Sequence, residues 1–282
     1  MTQRLLPASI ALPVWQRSGI RTLESRLQAA SDTPLMDLAG WACARLALAI
    51  APHAQRIWIA AGPGNNGGDG LEAAIHLHRL GKSVQVHLLG DPQQLPTDAR
   101  RAHERAVQAG VPIQIGLPEH APEMTAQDLC IDALLGIGAT RTPQGDMLRA
   151  IQWLNATPAA VLAIDIPTGL DADSGQELDS LDSVVHARHT LTLLGAKPGL
   201  FMGHGRDACG TVGRIGASAH PANSTPAIRT VVLHRSHNPL DTSDRIRIVH
   251  QFMNFITCGS GSTQTGTIPT SKYEKTARRR FC

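Results

Sequence analysis

The chain has few of the residues that mark several classes of protein. Its five cysteines are scattered over 282 residues and form no C-x-x-C pair, which argues against a disulfide framework and against a zinc site. No apolar run reaches the roughly 20 residues of a bilayer span, because Asp37 and Arg45 interrupt the most apolar stretch, residues 34–50. Too few apolar residues precede Pro7 for a signal peptide. We therefore expect a soluble cytoplasmic protein that does not bind a membrane.

A strong charge of either sign is also lacking. The 26 Lys+Arg residues against 23 Asp+Glu residues give a net charge of only +3. From residue 229 onward there are nine basic and three acidic residues, so the basic balance belongs to the C-terminal end. The last basic run could contact nucleic acid, but a short solvated run of charge is the commoner explanation. We do not expect nucleic-acid binding.

What the chain does have is a regular alternation of apolar patterns. Helical spacing predicts two N-terminal helices, over residues 20–30 and 35–50. Beyond them, the predicted strands are 56–61, 84–89, 111–115, 129–135, 159–166, 189–194 and 210–215, and the predicted helices are 71–80, 97–109 and 147–154. Strands that are apolar on both faces and alternate with helices predict an α/β fold. We expect a three-layer Rossmann-like sandwich with a mainly parallel central sheet.

After residue 216 the pattern becomes irregular. A linker of small residues follows, residues 230–233 and 246–255 could be strands, and residues 257–270 are predicted to be disordered because they are rich in Gly, Ser and Thr. We therefore divide the chain into a domain over residues 10–216 and a linker with an irregular basic tail over residues 217–282.

A glycine-rich segment follows the first predicted strand, with the sequence Gly62-Pro63-Gly64-Asn65-Asn66-Gly67-Gly68-Asp69-Gly70. Glycines at a strand-to-helix turn suit phosphate groups, although many such turns have glycines only for close packing. Asp69 lies at the start of the predicted helix, where its carboxylate would repel the pyrophosphate of an ordinary dinucleotide fingerprint. Asp69 is therefore a capping residue or a ligand for sugar hydroxyls. Asn65 and Asn66 tolerate left-handed backbone geometry and supply amide groups for a ligand or cation.

Two later turns place carboxylates at strand ends. Asp132 precedes the loop 136–142, and Asp165 precedes Pro167 and Thr168. Ligands of open parallel sheets bind outside the carboxyl ends of the strands, so the three turns are predicted to converge on one crevice. Either aspartate taken alone is more often a turn cap.

These residues together resemble the NAD(P)H-hydrate epimerase family, also called the YjeF N-terminal domain. The resemblance rests on residues 62–71, 132–142 and 164–170, with support from residues 34–40 and 192–199, and covers roughly residues 10–216 in consistent order. It implies interconversion of the R and S epimers of NADHX and NADPHX, the dinucleotides hydrated at C6 of the nicotinamide ring. A homodimer is compatible with it, as is functional coupling to an ADP/ATP-dependent NAD(P)H-hydrate dehydratase.

The resemblance also implies site residues. Those expected to bind the substrate are Asn65, Asn66, Gly67, Gly68, Asp69, Gly136, Ile137, Gly138, Ala139, Thr140, Arg141, Thr142 and Asp165. One potassium ion per subunit is expected on Asn66, Asp132 and Thr168, where Thr168 replaces the serine common in the family but keeps the hydroxyl.

Asp165 is our candidate acid/base group. Protonation of the C6 hydroxyl would let water leave and return to either face of the ring. Lys197 is the second catalytic candidate, as an electrostatic partner, although it could equally be a surface lysine. Two rival functions stay open, a non-catalytic nucleotide-binding or scaffold module of the same fold and an NAD-dependent oxidoreductase. No dehydratase domain is recognisable in residues 217–282, so we expect epimerase activity alone.

Overall fold

The computed structural model describes residues 14–217, 228–234 and 247–250. The helices of eight or more residues are α1 (Arg17–Ala30), α2 (Leu35–Ile50), α3 (Asn65–Arg79), α4 (Thr97–Gln108) and α5 (Asp146–Ala156), followed by the short α6 (Gly205–Ala208). The strands are β1 (Arg56–Ala61), β2 (Ser83–Leu88), β3 (Ile113–Ile115), β4 (Leu129–Ala133), β5 (Ala160–Ile164), β6 (His189–Leu193), β7 (Thr211–Ala217), β8 (Ile228–His234) and β9 (Arg247–His250). No helix among the described residues is long and apolar enough to cross a bilayer.

The strands of the described residues form one sheet in the order β3-β2-β1-β4-β5-β6-β7-β8-β9. The pairs from β3 to β7 are all parallel, while β8 and β9 are antiparallel to their neighbours. The prediction of a mainly parallel sheet is confirmed. The chain winds outward from β1 to β3 and then returns to β4 on the other side of β1, so a crevice opens outside the carboxyl ends of β1 and β4.

The two faces of the sheet have separate apolar cores because neighbouring strand residues point to opposite sides. Ile57 and Ile59 belong to the core that α2, α3 and α4 cover. Trp58 and Ala60, which alternate with them, belong to the core that α5 covers. Helices therefore lie on both faces, and the predicted three-layer Rossmann-like sandwich is confirmed.

One predicted boundary is wrong in a way that matters for function. The helix after β1 begins at Asn65 and not at Leu71, so residues 65–70 are helical and only Gly62–Gly64 form a loop. Propensity argues against glycine in a helix, but here the missing side chains permit close packing. A Cβ on Gly67 would overlap the carbonyl oxygen of Gly62, and one on Gly70 would come within 2.5 Å of the Ala133 Cβ. Tertiary packing thus outweighs the low helix propensity of these glycines.

The C-terminal predictions are tested only in part. β8 includes the predicted strand 230–233, and β9 falls within the predicted strand 246–255. Predicted disorder over residues 257–270 and the final basic run lie outside the described residues, and the domain boundary at residue 216 stays a prediction.

Candidate active site

A cavity of about 550 Å³ lies outside the carboxyl ends of the central strands. Its wall includes residues 63–66 and Asp69 of the β1–α3 segment, residues 134–141 after β4, Asp165 after β5, Leu193 and Leu194 at the end of β6, and residues of α1, α2 and the start of α4. The three turns predicted to converge therefore contribute to one wall. Such a volume is within the range of small-molecule and cofactor sites.

The N-terminal end of α3 faces this cavity. Asn65, Asn66 and Asp69 line it, whereas Gly67 and Gly68 do not. Gly68 instead packs so closely that a Cβ would come 2.6 Å from the Met36 Sδ. Asn65 and Asn66 tolerate left-handed backbone geometry but do not adopt it, since both residues are helical. Asp69 is likewise in the second turn and not at the helix start, because the glycines before it already belong to the helix.

Asn66 has an amide group that is buried without a partner. The residue is 8% exposed, and neither Oδ1 nor Nδ2 has a hydrogen-bond partner among the described residues. Buried amides are normally hydrogen-bonded, so such a group at a cavity wall indicates a ligand or ion. Beside it, a Cβ on Gly136 would lie 3.3 Å from Asn66 Oδ1 and 3.2 Å from Asp165 Oδ2. Gly136 therefore separates these two side chains without filling the space between them.

Asp132 and Thr168 are directly hydrogen-bonded. Thr168 donates its hydroxyl to Asp132 Oδ1 at 2.8 Å and its backbone N–H to Asp132 Oδ2 at 2.9 Å. Leu134 N–H donates to Asp132 Oδ1 at 3.1 Å. Burial is the largest influence on this carboxyl group and raises the pKa of Asp132 to about 6, although the three hydrogen bonds oppose it. The two turns after β4 and β5 are thereby locked together.

The donor set fits a monovalent cation. The Thr168 hydroxyl accepts a hydrogen bond from Leu135 N at 2.9 Å, and the next residue, Gly136, adjoins Asn66 Oδ1. Thr168 and Asn66 therefore flank the same dipeptide, Leu135–Gly136, and Asp132 is hydrogen-bonded to Thr168. An unpartnered amide oxygen, a carboxylate and a hydroxyl are oxygen donors of the kind that hard cations bind.

Asp165 ends β5 in an unusual backbone conformation. It has a φ of +72°, which places it in the left-handed region that few residues except glycine adopt. Its Oδ1 accepts a hydrogen bond from Leu193 N at 3.2 Å, and its Oδ2 accepts one from Ile137 N at 3.3 Å. The turns after β4 and β6 thus hold the carboxylate while it lines the cavity. Strained residues held by their surroundings are often found at functional sites.

Lys197 is a buried partner of that carboxylate and not a surface lysine. Its ammonium group donates hydrogen bonds to Asp165 Oδ1, to Thr192 Oγ1 at 3.0 Å and to the Leu193 carbonyl oxygen at 2.7 Å. Burial lowers the pKa of Lys197, while the charge of Asp165 acts in the opposite direction. Lys197 is not part of the cavity wall. It can therefore act on a ligand only through Asp165, as a positioning residue.

Asp69 adds a second carboxyl group to the cavity. Burial raises the pKa of Asp69 well above its usual range, and the nearby charges of Asp165 and Glu24 raise it further. The loop after β4 lines the same space from Gly136 to Arg141. Thr142 lies beyond the wall and donates its hydroxyl to the Leu178 carbonyl oxygen at 3.3 Å, so the structure does not bring this predicted residue into the cavity.

The contribution of α1 to the cavity was not predicted from the sequence. Ile20, Arg21, Glu24 and Gln28 all line the cavity. Ile20, Glu24 and Gln28 are spaced at positions i, i+4 and i+8, which could have indicated a functional helix face. The apolar residues Leu23 and Leu27 concealed it by suggesting a core-facing stripe.

Comparisons with known proteins identify the family of the chain. The family described as YjeF-related protein N-terminus matches residues 32–199. An NAD(P)H-hydrate epimerase of Achromobacter xylosoxidans is 43% identical over 199 residues, covering 69% of this chain and 91% of that protein. A bifunctional NAD(P)H-hydrate repair enzyme of Thermofilum pendens is 35% identical over 180 residues, which are 62% of this chain and 34% of that longer protein.

A solved structure shares the fold. The crystal structure of the yeast protein ynu0 superposes with a TM-score of 0.64 at 19% identity, covering 79% of this chain and all of that one.

Proposed function

This chain belongs to the family described as YjeF-related protein N-terminus, and from that premise we propose that it is an NAD(P)H-hydrate epimerase, an isomerase of nicotinamide-nucleotide repair. The observation that carries the proposal is the Asp165 carboxylate, which the ends of three parallel strands present to a nucleotide-sized cavity. The substrates are NADHX and NADPHX, and no hydride is transferred.

Substrate binding uses both polar sides of the cavity. The N-terminal end of α3 provides unpaired N–H groups and a partial positive charge, which suit a pyrophosphate group. Arg141 is on the loop that faces the same cavity and adds a full positive charge. Burial raises the pKa of Asp69 and so favours its protonated form, which can donate a hydrogen bond to a ligand oxygen. A protonated Asp69 would not repel the phosphates.

The chemistry needs an acid beside C6 of the nicotinamide ring. A proton from Asp165 reaches the C6 hydroxyl, water leaves, and an iminium ion forms between N1 and C6. Water then adds to either face and returns a proton to the enzyme, so that no atom or electron is gained or lost. Once the proton has left, Lys197 fixes the resulting carboxylate in place and balances its charge.

The potassium site is a further part of the proposal. Asn66, Asp132 and Thr168 would hold the ion, which would supply positive charge beside the turns that bind the substrate. Asn66 is the strongest support for it, because its buried amide oxygen has no partner among the described residues. A homodimer, a cytoplasmic location and coupling to a dehydratase are proposals that follow from the family and from the bifunctional relative.

The test uses the full chain with the R epimer and a separate S-specific dehydratase. We expect recovery of NADH that depends on the chain and increases with potassium. Asp165→Asn should lower the rate about 100-fold with ligand binding retained. Asp182→Asn is the matched control, since Asp182 is exposed and lies outside the cavity wall. Full activity of Asp165→Asn with normal binding would refute the assignment, and hydride transfer without epimerisation would favour an oxidoreductase.

A further inference from the structure

We propose that Glu24 on α1 is a second acid/base group, which serves the face of the nicotinamide ring that Asp165 does not. This inference rests on the proposed epimerase function and adds a catalytic residue to it. Epimerisation requires water to leave from one face of the ring and to return on the other, and a single carboxyl group reaches both faces only if the ring turns over. Two carboxyl groups on separate elements remove that requirement.

The position of α1 is fixed by contacts with the turns that form the site. Arg17 donates its backbone N–H to Asp173 Oδ1 at 2.7 Å, and its guanidinium group pairs with Asp171 Oδ2 at 2.6 Å. Just before the helix, Trp15 N–H donates to the Ala196 carbonyl oxygen at 2.7 Å. α1 is therefore attached to the segments that follow β5 and β6.

The packing of α1 determines which of its faces lines the cavity. Ile20 is buried, and a Cβ on Gly195 would come 2.9 Å from its Cδ1. Glu24 and Gln28 follow Ile20 at intervals of four residues, so all three lie on one face of the helix, and all three line the cavity. Glu24 is one helical turn beyond the contact with Gly195.

The surroundings of Glu24 suit a proton-transfer group. The groups whose charges act on it are Asp165, Lys197, Arg21 and Asp98, and it in turn acts on Asp69. Partial burial at the cavity wall, followed by the charge of Asp165, raises the pKa of Glu24 from its usual value. A raised pKa brings a carboxyl group closer to the pH at which acid/base catalysis is efficient.

Glu24 and Asp165 differ in their access to water. Asp165 is 7% exposed, whereas Glu24 is an exposed residue on the cavity wall. An exposed carboxylate is well placed to activate a water molecule that enters from solvent. The step balances, since Asp165 loses a proton as water leaves and Glu24 gains one as water adds. The reverse direction exchanges the two roles, and solvent restores both protonation states.

The test measures epimerisation together with exchange of the C6 hydroxyl oxygen in isotopically labelled water, with the spontaneous rates subtracted. Glu24→Gln should lower the kcat for epimerisation about 100-fold with little change in KM, and Glu24→Asp should recover part of it. Glu104→Gln is the matched control, because Glu104 is exposed on α4 and outside the cavity wall.

Oxygen exchange separates catalysis from a structural role. In Glu24→Gln, one epimer should exchange its oxygen faster than it inverts, because Asp165 still removes and returns water on its own face. In Asp165→Asn, the opposite epimer should exchange its oxygen faster than it inverts. Wild-type kcat in Glu24→Gln, or a lower rate without epimer-selective exchange, would overturn the inference. An inactive wild-type chain would instead refute the proposed function.

Discussion

Lys197 has no exposed surface, and its ammonium group donates a hydrogen bond to the carboxylate of Asp165 at the cavity wall. A buried ion pair of this kind contributes more to orientation than to stability, but removal of one partner is costly. Lys197→Met should therefore destabilise the fold by about 3 kcal/mol. It should also lower kcat more than it raises KM, because the carboxylate loses its orientation.

Urea unfolding and steady-state kinetics measure these two effects. Lys82→Met is the control, since Lys82 donates to the carbonyl oxygens of Pro52 and Ala54 and is not part of the cavity wall. Unchanged kcat in Lys197→Met would show that Asp165 does not need this partner.

Gly136 provides a sharp test of the space between Asn66 and Asp165. Gly136→Ala places a methyl group 3.2 to 3.3 Å from Asp165 Oδ2 and Asn66 Oδ1, closer than nearly all carbon contacts. We expect the chain to fold but to lose at least about 10-fold in activity, with a weaker response to potassium. Gly213→Ala is the matched control, because Gly213 lies outside the cavity wall and the nearest atom to a Cβ there is Leu46 Cδ2 at 3.8 Å. Equal activity of the two variants would show that the gap is not used.

The effect of potassium on activity and stability should depend on the hydroxyl group of Thr168. Thr168→Ser keeps the hydroxyl beside Asp132 and should retain both activity and stabilisation by potassium. Thr168→Val removes the hydroxyl and should abolish the difference between melting temperatures in potassium and in tetramethylammonium chloride of equal ionic strength. An identical potassium effect in the valine variant would contradict the proposed ligand set.

Glu72 makes stability depend on pH. This carboxyl group is almost fully buried between helices, 3.2 Å from the Arg105 guanidinium group, and burial raises the pKa of Glu72 from 4.5 to about 7. The folded state therefore binds more protons than the unfolded state between these pH values. The contribution of Glu72 to the free energy of unfolding is therefore fully present below about pH 4.5. It is lost as the pH rises through about 7, because the buried carboxyl group must then ionise.

The corresponding variant is Glu72→Gln, which cannot ionise. It should be more stable than the wild type at about pH 8 by up to about 3 kcal/mol, with a small difference at about pH 5. Asp132, whose pKa is also raised, titrates in both proteins, so only the difference between the two unfolding profiles is informative. A constant difference from pH 5 to 8 would contradict the assignment to Glu72.

The attachment of α1 should control its contribution to the cavity. Asp171→Asn weakens the ion pair with Arg17, while Asp171 Oδ1 can still accept from the Ser174 hydroxyl. We expect faster amide hydrogen exchange over residues 17–30 and a lower kcat/KM. Asp179→Asn is the control, since the contacts that hold α1 do not involve Asp179. Unchanged exchange in α1 would show that the helix is held by apolar packing alone.

Much of the site could be predicted from local patterns, but its geometry could not. The family and the convergence of three turns followed from the residues around Asn66, Asp132 and Asp165. The burial of Lys197 did not, because its partner Asp165 belongs to another segment, 32 residues away in the chain. The early start of α3 was also missed, because close contacts with Gly62 and Ala133 decide it.

By itself the sequence determined the parallel α/β fold and the family, because both depend on short-range features: apolar periodicity, glycine spacing and the residues at strand ends. Only the tertiary structure decided which side chains share the cavity. Glu24, Asp69 and Asp165 are separated by tens of residues, and their meeting depends on how the sheet winds and on where α1 is attached. Distances between side chains from different elements are fixed by packing, which no local pattern records.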